Sequence, residues 1–352
     1  MERADRAGDE QRLGLLAALA DVPAQPRLQR LLEGAATRGA LGSNTIEFAR
    51  AASAQRSAVL IPTLIEQLSH RESREAIRIA LASFGVNAIK ALGSALRDPD
   101  VSRSVRIQIP GTLARFESRR ASRILLDSLE NARDGLVRYR ALRALGRLVA
   151  DFGANVDRAR IEQLALNNLR EHFRLLGLWA HLDGRRLWSA PVTTGSDPTE
   201  RLLLGLLHDK LRQSLQRVFR LLKIAHPEED LHRAHSAYLS SDERVRRYAV
   251  EFLEALLRGR DEDSLGRLLR IAGEDGSLER VLERSRRLLP EQPPTSRLEA
   301  LHRLRQDKDA MLSALAELYL AAEGSGRSSL GERTRLEHAF ELAAERPPVG
   351  HA

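Results

Sequence analysis

Cysteine is absent from this sequence, which excludes disulfide bonds, thiolate catalysis and cysteine-ligated zinc. Aromatic residues are scarce as well and make up 4% of the 352 positions. The core must therefore be built from Leu, Ala, Ile and Val, whose side chains suit closely stacked helices. The overall composition, with 43% hydrophobic and 30% charged residues, is typical of a folded, water-soluble protein.

Long apolar segments are also missing. No run approaches the roughly 18 residues that a membrane-spanning helix needs. The opening residues, MERADRAGDEQR, lack the apolar core that secretory signals carry. We therefore expect a cytoplasmic chain without a membrane span.

Lysine is the scarce cation, because only four of the 56 basic residues are lysines, namely Lys90, Lys210, Lys223 and Lys308. The net charge of +8 and the isoelectric point near 10.4 are typical of proteins with an anionic partner, nucleic acid above all. Most of the arginines, however, alternate with Asp and Glu instead of forming a block. We therefore interpret the excess of arginine as a general feature of the composition and keep polyanion binding as the alternative function.

The stretch at 134–148, DGLVRYRALRALGRL, shows how the chain is built. Its apolar residues recur at helical spacing and form one stripe: Val137, Ala141, Ala144, Leu145 and Leu148. A second stripe beside it consists of Arg140, Arg143 and Arg147. The pattern predicts a helix with one buried side and one charged side.

Imperfect copies of this helix recur along the first half of the chain. Setting Ile46, Ile77, Val105 and Val137 as equivalent gives spacings of 31, 28 and 32 residues. Second helices are predicted between the copies, at 59–68, 86–96 and 122–130. A period of this length predicts an all-α, right-handed α-solenoid of stacked antiparallel helix pairs.

The regularity of the repeats changes along the chain. We expect one α-solenoid over 1–322, with regular repeats at about 41–150, irregular longer helices at 151–240 and further repeats at 241–322, followed by a loosely ordered tail at 323–352. Within the middle part, helices are predicted at 157–182 and 200–224, with an exposed loop at 183–198 between them. Pro110 and Gly111 should interrupt the third copy, since proline removes an amide donor and crowds the preceding turn.

Four copies carry a β-branched residue followed by arginine and then small or apolar residues at helical spacing: Ile77-Arg78, Val105-Arg106, Val137-Arg138 and Val245-Arg246. This pattern resembles HEAT repeats. The segments VRIQIPGTLARF, LVRYRALRALGRL and RVFRLLKIAHPEEDLHRAHSAYLSSDERVRRYAVEFLEALL are also similar to the soluble HEAT region of bacterial ATP/ADP translocase-like fusion proteins. That resemblance runs from about Thr45 to Ala322 and implies a cytoplasmic region beside a membrane carrier. It does not imply transport, because no residue here matches a carrier motif.

The sequence lacks the common motifs for catalysis and cofactor binding. No Gly-rich phosphate loop, GxSxG elbow or HExxH motif occurs, so we predict no catalytic residues, no metal and no cofactor. The densest set of metal-ligand residue types is His226, Glu228, Glu229, Asp230, His232 and His235. We interpret it as a helix start with acids near the positive end of the dipole. Trp179 and Trp188 invite comparison with HEAT-fold DNA glycosylases, but Trp179 lies in an apolar helix, where core packing is the ordinary explanation.

The candidate site residues are charged side chains at equivalent repeat positions. Asp98, Asp134 and Asp242 precede three of the copies and are predicted to pair with arginines in a structural inter-repeat ladder: Arg78, Arg106, Arg138 and Arg246. A binding ridge for carboxylates of another protein is predicted at Arg106, Arg138, Arg140 and Arg143. The sequence therefore favours a non-catalytic cytoplasmic adaptor with a protein partner at a membrane, and it leaves the oligomeric state open.

Overall fold

The computed structural model describes residues 13–37, 44–183, 198–258, 264–274 and 276–324. These residues form helices and contain no strand, which confirms the predicted all-α fold. None of the helices in these ranges has both the length and the apolar character needed to cross a bilayer.

The chain divides into two compact units, unit 1 at Met1–Val156 and unit 2 at Asp157–Ala352. The helices of unit 1 are α1 (described over 13–21), α2 (Pro26–Thr37), α3 (Thr45–Gln55), α4 (Ile61–Glu66), α5 (Arg74–Ser83), α6 (Val86–Arg97), α7 (Arg103–Arg106), α8 (Ile109–Leu113), α9 (Arg119–Asn131) and α10 (Gly135–Phe152). Short 3₁₀ turns at Ala58–Leu60 and Gln67–Ser69 flank α4.

Helix α10 shows why this sequence forms these elements. Asp134 caps its start by accepting the Leu136 N–H at 2.8 Å, and Gly153 ends it in the left-handed conformation with φ of 59°. All five residues of the predicted apolar stripe are buried, and Leu145 is fully enclosed. The stripe packs against α8 and α9, while α6 packs against α4 and α9. Neighbouring repeats thus share one aliphatic core, as expected for a solenoid.

The third copy is interrupted as predicted. Helix α7 ends at Arg106 and α8 begins at Ile109, with Pro110 in the first turn of α8. Proline has no N–H to continue the hydrogen-bond ladder of α7 and is tolerated near a helix start, so one helix becomes two short ones.

Unit 2 is built around two long helices. Its helices are α11 (Arg158–Leu182), α12 (Pro198–Ala225), α13 (Leu231–Tyr238), α14 (Glu243–Leu257), α15 (Ser264–Gly273), α16 (Leu278–Ser285), α17 (Arg297–Arg305) and α18 (Ala310–Gly324), with a 3₁₀ turn at Arg286–Leu288. The bounds of α11 and α12 confirm the two long helices predicted from sequence. They pack along each other, and α17 and α18 pack against them in turn. Most of the predicted loop between them, 184–197, and the tail from 325 onward lie outside the described residues.

The contact between α11 and α12 contains buried histidines. His172 is enclosed, and its Nδ1 lies 3.0 Å from Ser214 Oγ and 3.2 Å from the Leu211 carbonyl oxygen. Burial lowers the pKa of His172 to about 4, so the ring is neutral in its hydrogen-bonded site. Nearby, the Trp179 ring packs at 5.5 Å from the ring of His208. The contact between α11 and α12 therefore contains polar side chains within an otherwise aliphatic core.

Candidate arginine surface

Four arginines of unit 1 form a cluster, which we call the arginine cluster: Arg74, Arg78, Arg115 and Arg140. Two of them lie on α5, one follows α8 and one lies on α10. Partial burial lowers the pKa of the Arg78 guanidinium, and the positive charges of the other three lower it further, whereas Glu75 raises it. Although burial is the largest cause of the shift, the charges that act on Arg78 are those of three other guanidinium groups and one carboxylate.

The break between α7 and α8 holds Arg140 in place. Its Nη1 donates to the Ile107 carbonyl oxygen at 3.0 Å and to Gln108 Oε1 at 2.9 Å. Both acceptors belong to the short segment between the two helices. A side chain of one repeat thus completes the hydrogen bonding of an irregular segment in the preceding repeat.

The same interruption receives Arg78 from α5. Arg78 Nε donates to Thr112 Oγ1 at 3.4 Å, a long bond. A Cβ atom at Gly111 would lie 3.1 Å from Arg78 Nη2, closer than most such contacts, so the glycine leaves the room that the guanidinium occupies. Pro110 and Gly111 therefore do more than shorten a helix. The interruption exposes acceptors for Arg140, and Gly111 leaves space for Arg78.

The other predicted binding residues differ in how available they are. Arg143 is exposed on α10, one turn beyond Arg140, and lies 6.0 Å from the ring centre of Tyr139. It has no hydrogen bond or ion pair with the residues that the structure describes. Arg106 is half-buried, and its Nε is shielded from solvent with no acceptor in the described part of the chain. Arg143 is thus the freest cation of the predicted ridge.

Arg138 and Arg246 bind the backbone of the turn that precedes their own helix. Arg138 Nη1 donates to the carbonyl oxygens of Ala132 at 2.5 Å and Arg133 at 3.1 Å. Arg246 Nη1 donates to the Ser240 carbonyl oxygen at 2.6 Å. Each arginine stands in the first turn of its helix and folds back six residues. Arg138 is therefore hydrogen-bonded to the turn, and fewer of its N–H groups are available to a partner.

The aspartates of the predicted ladder have other partners. Asp134 and Asp242 cap α10 and α14, each accepting two backbone N–H groups, and Asp98 accepts the Asp100 N–H at 2.9 Å in the turn after α6. Asp134 makes no ion pair with Arg138, which follows it on the same helix. The reason is geometric, since an Asp four residues before an Arg at a helix start is better placed to cap the helix.

Inter-repeat ion pairs do occur, and one of them involves a predicted ladder residue, Asp134, with an arginine that was not predicted as its partner. Arg103 Nε lies 2.5 Å from Asp134 Oδ2, and Arg115 pairs with Glu75. Partial burial raises the pKa of Asp134, but the hydrogen bonds from Arg103 and the Leu136 N–H outweigh it and hold that pKa below its ordinary value. Arg103 and Asp134 are 31 residues apart, one repeat period, which is the signal that could have found them.

Of the histidine and tryptophan candidates, His226 and Trp179 are buried in unit 2. No group of three or more His, Asp or Glu residues is arranged to hold a metal ion within the ranges that the structure describes. His226 is buried against Glu162, with His226 Nε2 3.0 Å from Glu162 Oε1, and burial and the charge of Arg158 lower its pKa to about 4. Trp179 is 1% exposed and so cannot stack on an extruded base. Trp188 lies outside the described residues.

Part of unit 1, which contains the arginine cluster, is similar to a known protein family. A family model described as HEAT repeats matches residues 61–146, from the start of α4 into α10. The match supports a HEAT-repeat protein. The matched residues include all four members of the arginine cluster. No curated protein and no solved structure matches the chain, so no relative supports the closer resemblance to translocase-like fusion proteins.

Proposed function

We propose that this chain is a non-catalytic scaffold that binds an acidic segment of another protein through the arginine cluster and Arg143. HEAT repeats typically serve as protein-interaction scaffolds, because stacked repeats present equivalent side chains on an extended surface. The observation that carries the proposal is the excess of guanidinium groups over carboxylates around Arg78. Guanidinium groups bind carboxylates through paired, charge-assisted hydrogen bonds, which makes an acidic segment the matching partner.

The cluster combines fixed and free cations. Arg140 is held at the α7–α8 break and Arg78 bonds to Thr112 on α8, so both are oriented before a partner arrives. Arg143 and Arg115 are exposed, and the pair between Arg115 and Glu75 lies at the surface, where ion pairs are weak and easily exchanged. Cations that are already oriented lose less conformational entropy on binding, which favours recognition of a defined segment.

A charge-reversal experiment tests the proposal. The double variant Arg115→Glu/Arg143→Glu removes the two exposed cations and leaves the hydrogen bonds of Arg78 and Arg140 in place. Binding is measured by fluorescence anisotropy with a labelled poly-glutamate peptide, and we expect at least a tenfold loss of affinity. The matched control is Arg119→Glu/Arg123→Glu, which reverses two exposed arginines on α9. Equal losses in both variants, or no binding by the wild-type protein, would contradict the proposal.

Polyanion binding is the alternative, because the same guanidinium groups suit phosphates and the net charge is +8. Labelled duplex DNA, measured across a salt series, separates the two functions. Phosphate neutralisation by several arginines gives a steep loss of affinity with salt. Weak binding that varies little with salt, beside firm binding of the acidic peptide, favours the protein scaffold. Steep, tight DNA binding favours the alternative, including a glycosylase-like HEAT protein.

We extend the proposal to a partner at the cytoplasmic face of a membrane complex. Its support is the sequence resemblance to the soluble HEAT region of translocase-like fusion proteins. Cell fractionation of a tagged chain checks this extension, and we expect part of the chain in the membrane fraction and its release by high salt. A chain found wholly in the supernatant at low salt would confine the proposal to partners away from membranes.

A further inference from the structure

A cleft of about 770 Å³ lies along α11 in unit 2. One wall is α11 around Arg170 and Arg174, a second is the segment 289–294, and a third is the turn between α17 and α18. Its volume falls within the range of about 300–1,000 Å³ that is common for small-molecule sites.

The proline-rich wall is fixed against α11. Arg303 Nη1 donates to the Gln292 carbonyl oxygen at 2.7 Å, and Arg303 Nη2 donates to Glu299 Oε1 at 2.6 Å. A Cβ atom at Gly177 would lie 3.1 Å from the Cβ of Pro293, so the segment packs directly on the helix. The cleft is therefore formed before any ligand arrives.

Four charged residues that line the cleft pair with one another. Arg174 Nη2 lies 2.7 Å from Asp307 Oδ2, Arg174 also pairs with Glu171, and Lys308 Nζ lies 3.4 Å from Glu171 Oε1. Burial lowers the pKa of Arg174, but Glu171 and Asp307 raise it more, so its net direction is upward. Burial raises the pKa of Glu171, and the bonds from Arg174 and Lys308 bring it below its ordinary value. Arg174 and Glu171 consequently stay charged and paired at neutral pH.

Among the cations of this lining, Arg170 is the exception. Its side chain is half-buried, and its Nε is shielded from solvent without a hydrogen-bond acceptor. No residue in the described ranges forms a hydrogen bond or ion pair with its guanidinium. Arg170 thus lines the cleft as an unpaired cation, and an anion bound there would supply its ion-pair partner.

We propose that this cleft binds a small organic anion, with a carboxylate or phosphate held by Arg170 and an apolar body against the proline-rich wall. Leu289, Pro290 and Pro293 are partly exposed and give that wall its apolar character. A preformed cleft that offers an apolar wall together with placed charged groups is the usual composition of a small-molecule site. This site lies within unit 2 and is independent of the arginine cluster of unit 1.

Titration calorimetry with four probes tests the site: phenyl phosphate, benzoate, inorganic phosphate and phenol. We expect saturable binding of phenyl phosphate or benzoate, weaker binding of inorganic phosphate and none of phenol, because the cleft needs both an anion and an apolar body. In ¹⁵N-labelled protein, the Arg170 Nε–Hε resonance should shift with the same dissociation constant. Phenol binding as tightly as benzoate, or an unmoved Arg170 resonance, would overturn the proposal.

Variants at Arg170 complete the test. Arg170→Gln should lower the affinity for the organic anion at least tenfold, whereas Arg233→Gln, an exposed arginine on α13, should leave it unchanged. Arg170→Lys keeps the charge without the planar fork and should bind with an intermediate affinity; it also serves if the Gln variant does not fold. Wild-type affinity in both Arg170 variants would show that Arg170 does not hold the anion.

Discussion

The two units use their arginines in different ways. In unit 1, the arginines that reach another repeat find their partners about one repeat away, as Arg140 does at Ile107, 33 residues earlier, and Arg103 at Asp134, 31 residues later. In unit 2, Arg174 pairs with Asp307, 133 residues later. Unit 1 is thus joined between neighbouring repeats, whereas unit 2 also has an ion pair between distant parts of its sequence.

This difference affects what each unit can bind. Unit 2 satisfies most of the charges around its cleft internally, and Arg170 is the residue that it leaves for an anion. Unit 1 fixes arginines through backbone acceptors, which are neutral, so the positive charge remains available at the surface. An arginine bound to a carbonyl group is oriented without being neutralised, and this suits recognition of an acidic partner.

The largest expected effect comes from breaking the shared core of unit 1. Leu145→Asp buries a carboxylate without a partner at a fully enclosed position and should destabilise the protein by roughly 4 kcal/mol or more. Denaturant unfolding measures the loss, and hydrogen exchange should rise across α8, α9 and α10. Arg147→Asp on the exposed side of the same helix is the control and should change stability by about 0.5 kcal/mol or less. Equal effects would contradict the stripe assignment.

Acid should affect unit 2 through His172. The folded pKa of about 4 lies below the ordinary 6.5, so between these values the unfolded chain binds a proton that the folded chain does not. The free energy of unfolding is therefore highest above pH 6.5 and falls as the pH drops towards 4. The loss that comes from His172 amounts to roughly 3 kcal/mol. The variant His172→Asn keeps a polar group near the Nδ1 position and should flatten that part of the pH profile. An unchanged slope in denaturant titrations would show that His172 is not the cause.

Asp307→Asn tests the long-range closure of unit 2. The amide keeps an acceptor for the Asp309 N–H but removes the charge that pairs with Arg174 in a site where the Asp307 side chain is 1% exposed. The expected loss is about 2 kcal/mol, since hydrogen bonds to charged groups are the stronger ones. The control is Glu283→Gln on α16, which removes a solvent-exposed ion pair with Arg286 and should cost about 0.5 kcal/mol or less. Thermal unfolding compares the two, and a similar shift in both would weaken the comparison of the units.

The smallest expected effect separates structural from free arginines in unit 1. Arg140→Gln removes the bonds to the Ile107 carbonyl and Gln108 and should cost about 1 kcal/mol. Arg143→Gln removes no hydrogen bond and should stay within about 0.5 kcal/mol of the wild-type protein. A larger loss at Arg143 than at Arg140, measured by denaturant unfolding, would reverse the roles assigned to them.

Local pattern was enough to predict most of the helices. The apolar spacing gave the buried stripe of α10, and the lengths of the two apolar patterns gave α11 and α12. The interruption at Pro110 was also predictable, because a missing N–H and ring crowding act within one turn. Each of these features depends on residues within a few positions of one another, where spacing translates directly into a shared face.

The candidate site was predictable only in part. Arg140 was expected to be a free binding residue, but the carbonyl group and amide that hold it belong to another repeat. Arg115 and Glu75 were not selected, since a pair 40 residues apart has no mark in the local sequence. The importance of Gly111 likewise depends on Arg78, which reaches it from α5.

The sequence by itself determined the helical fold, the repeat period, the aliphatic core and the excess of arginine. Only the tertiary structure decided which arginines bind carbonyl groups, which pair with acids and which stay free. The physical reason is that helix formation and burial follow from the periodicity of side chains along the chain, whereas a guanidinium group has a long reach and several donors. Its partner is set by whichever acceptor packing brings within about 3 Å.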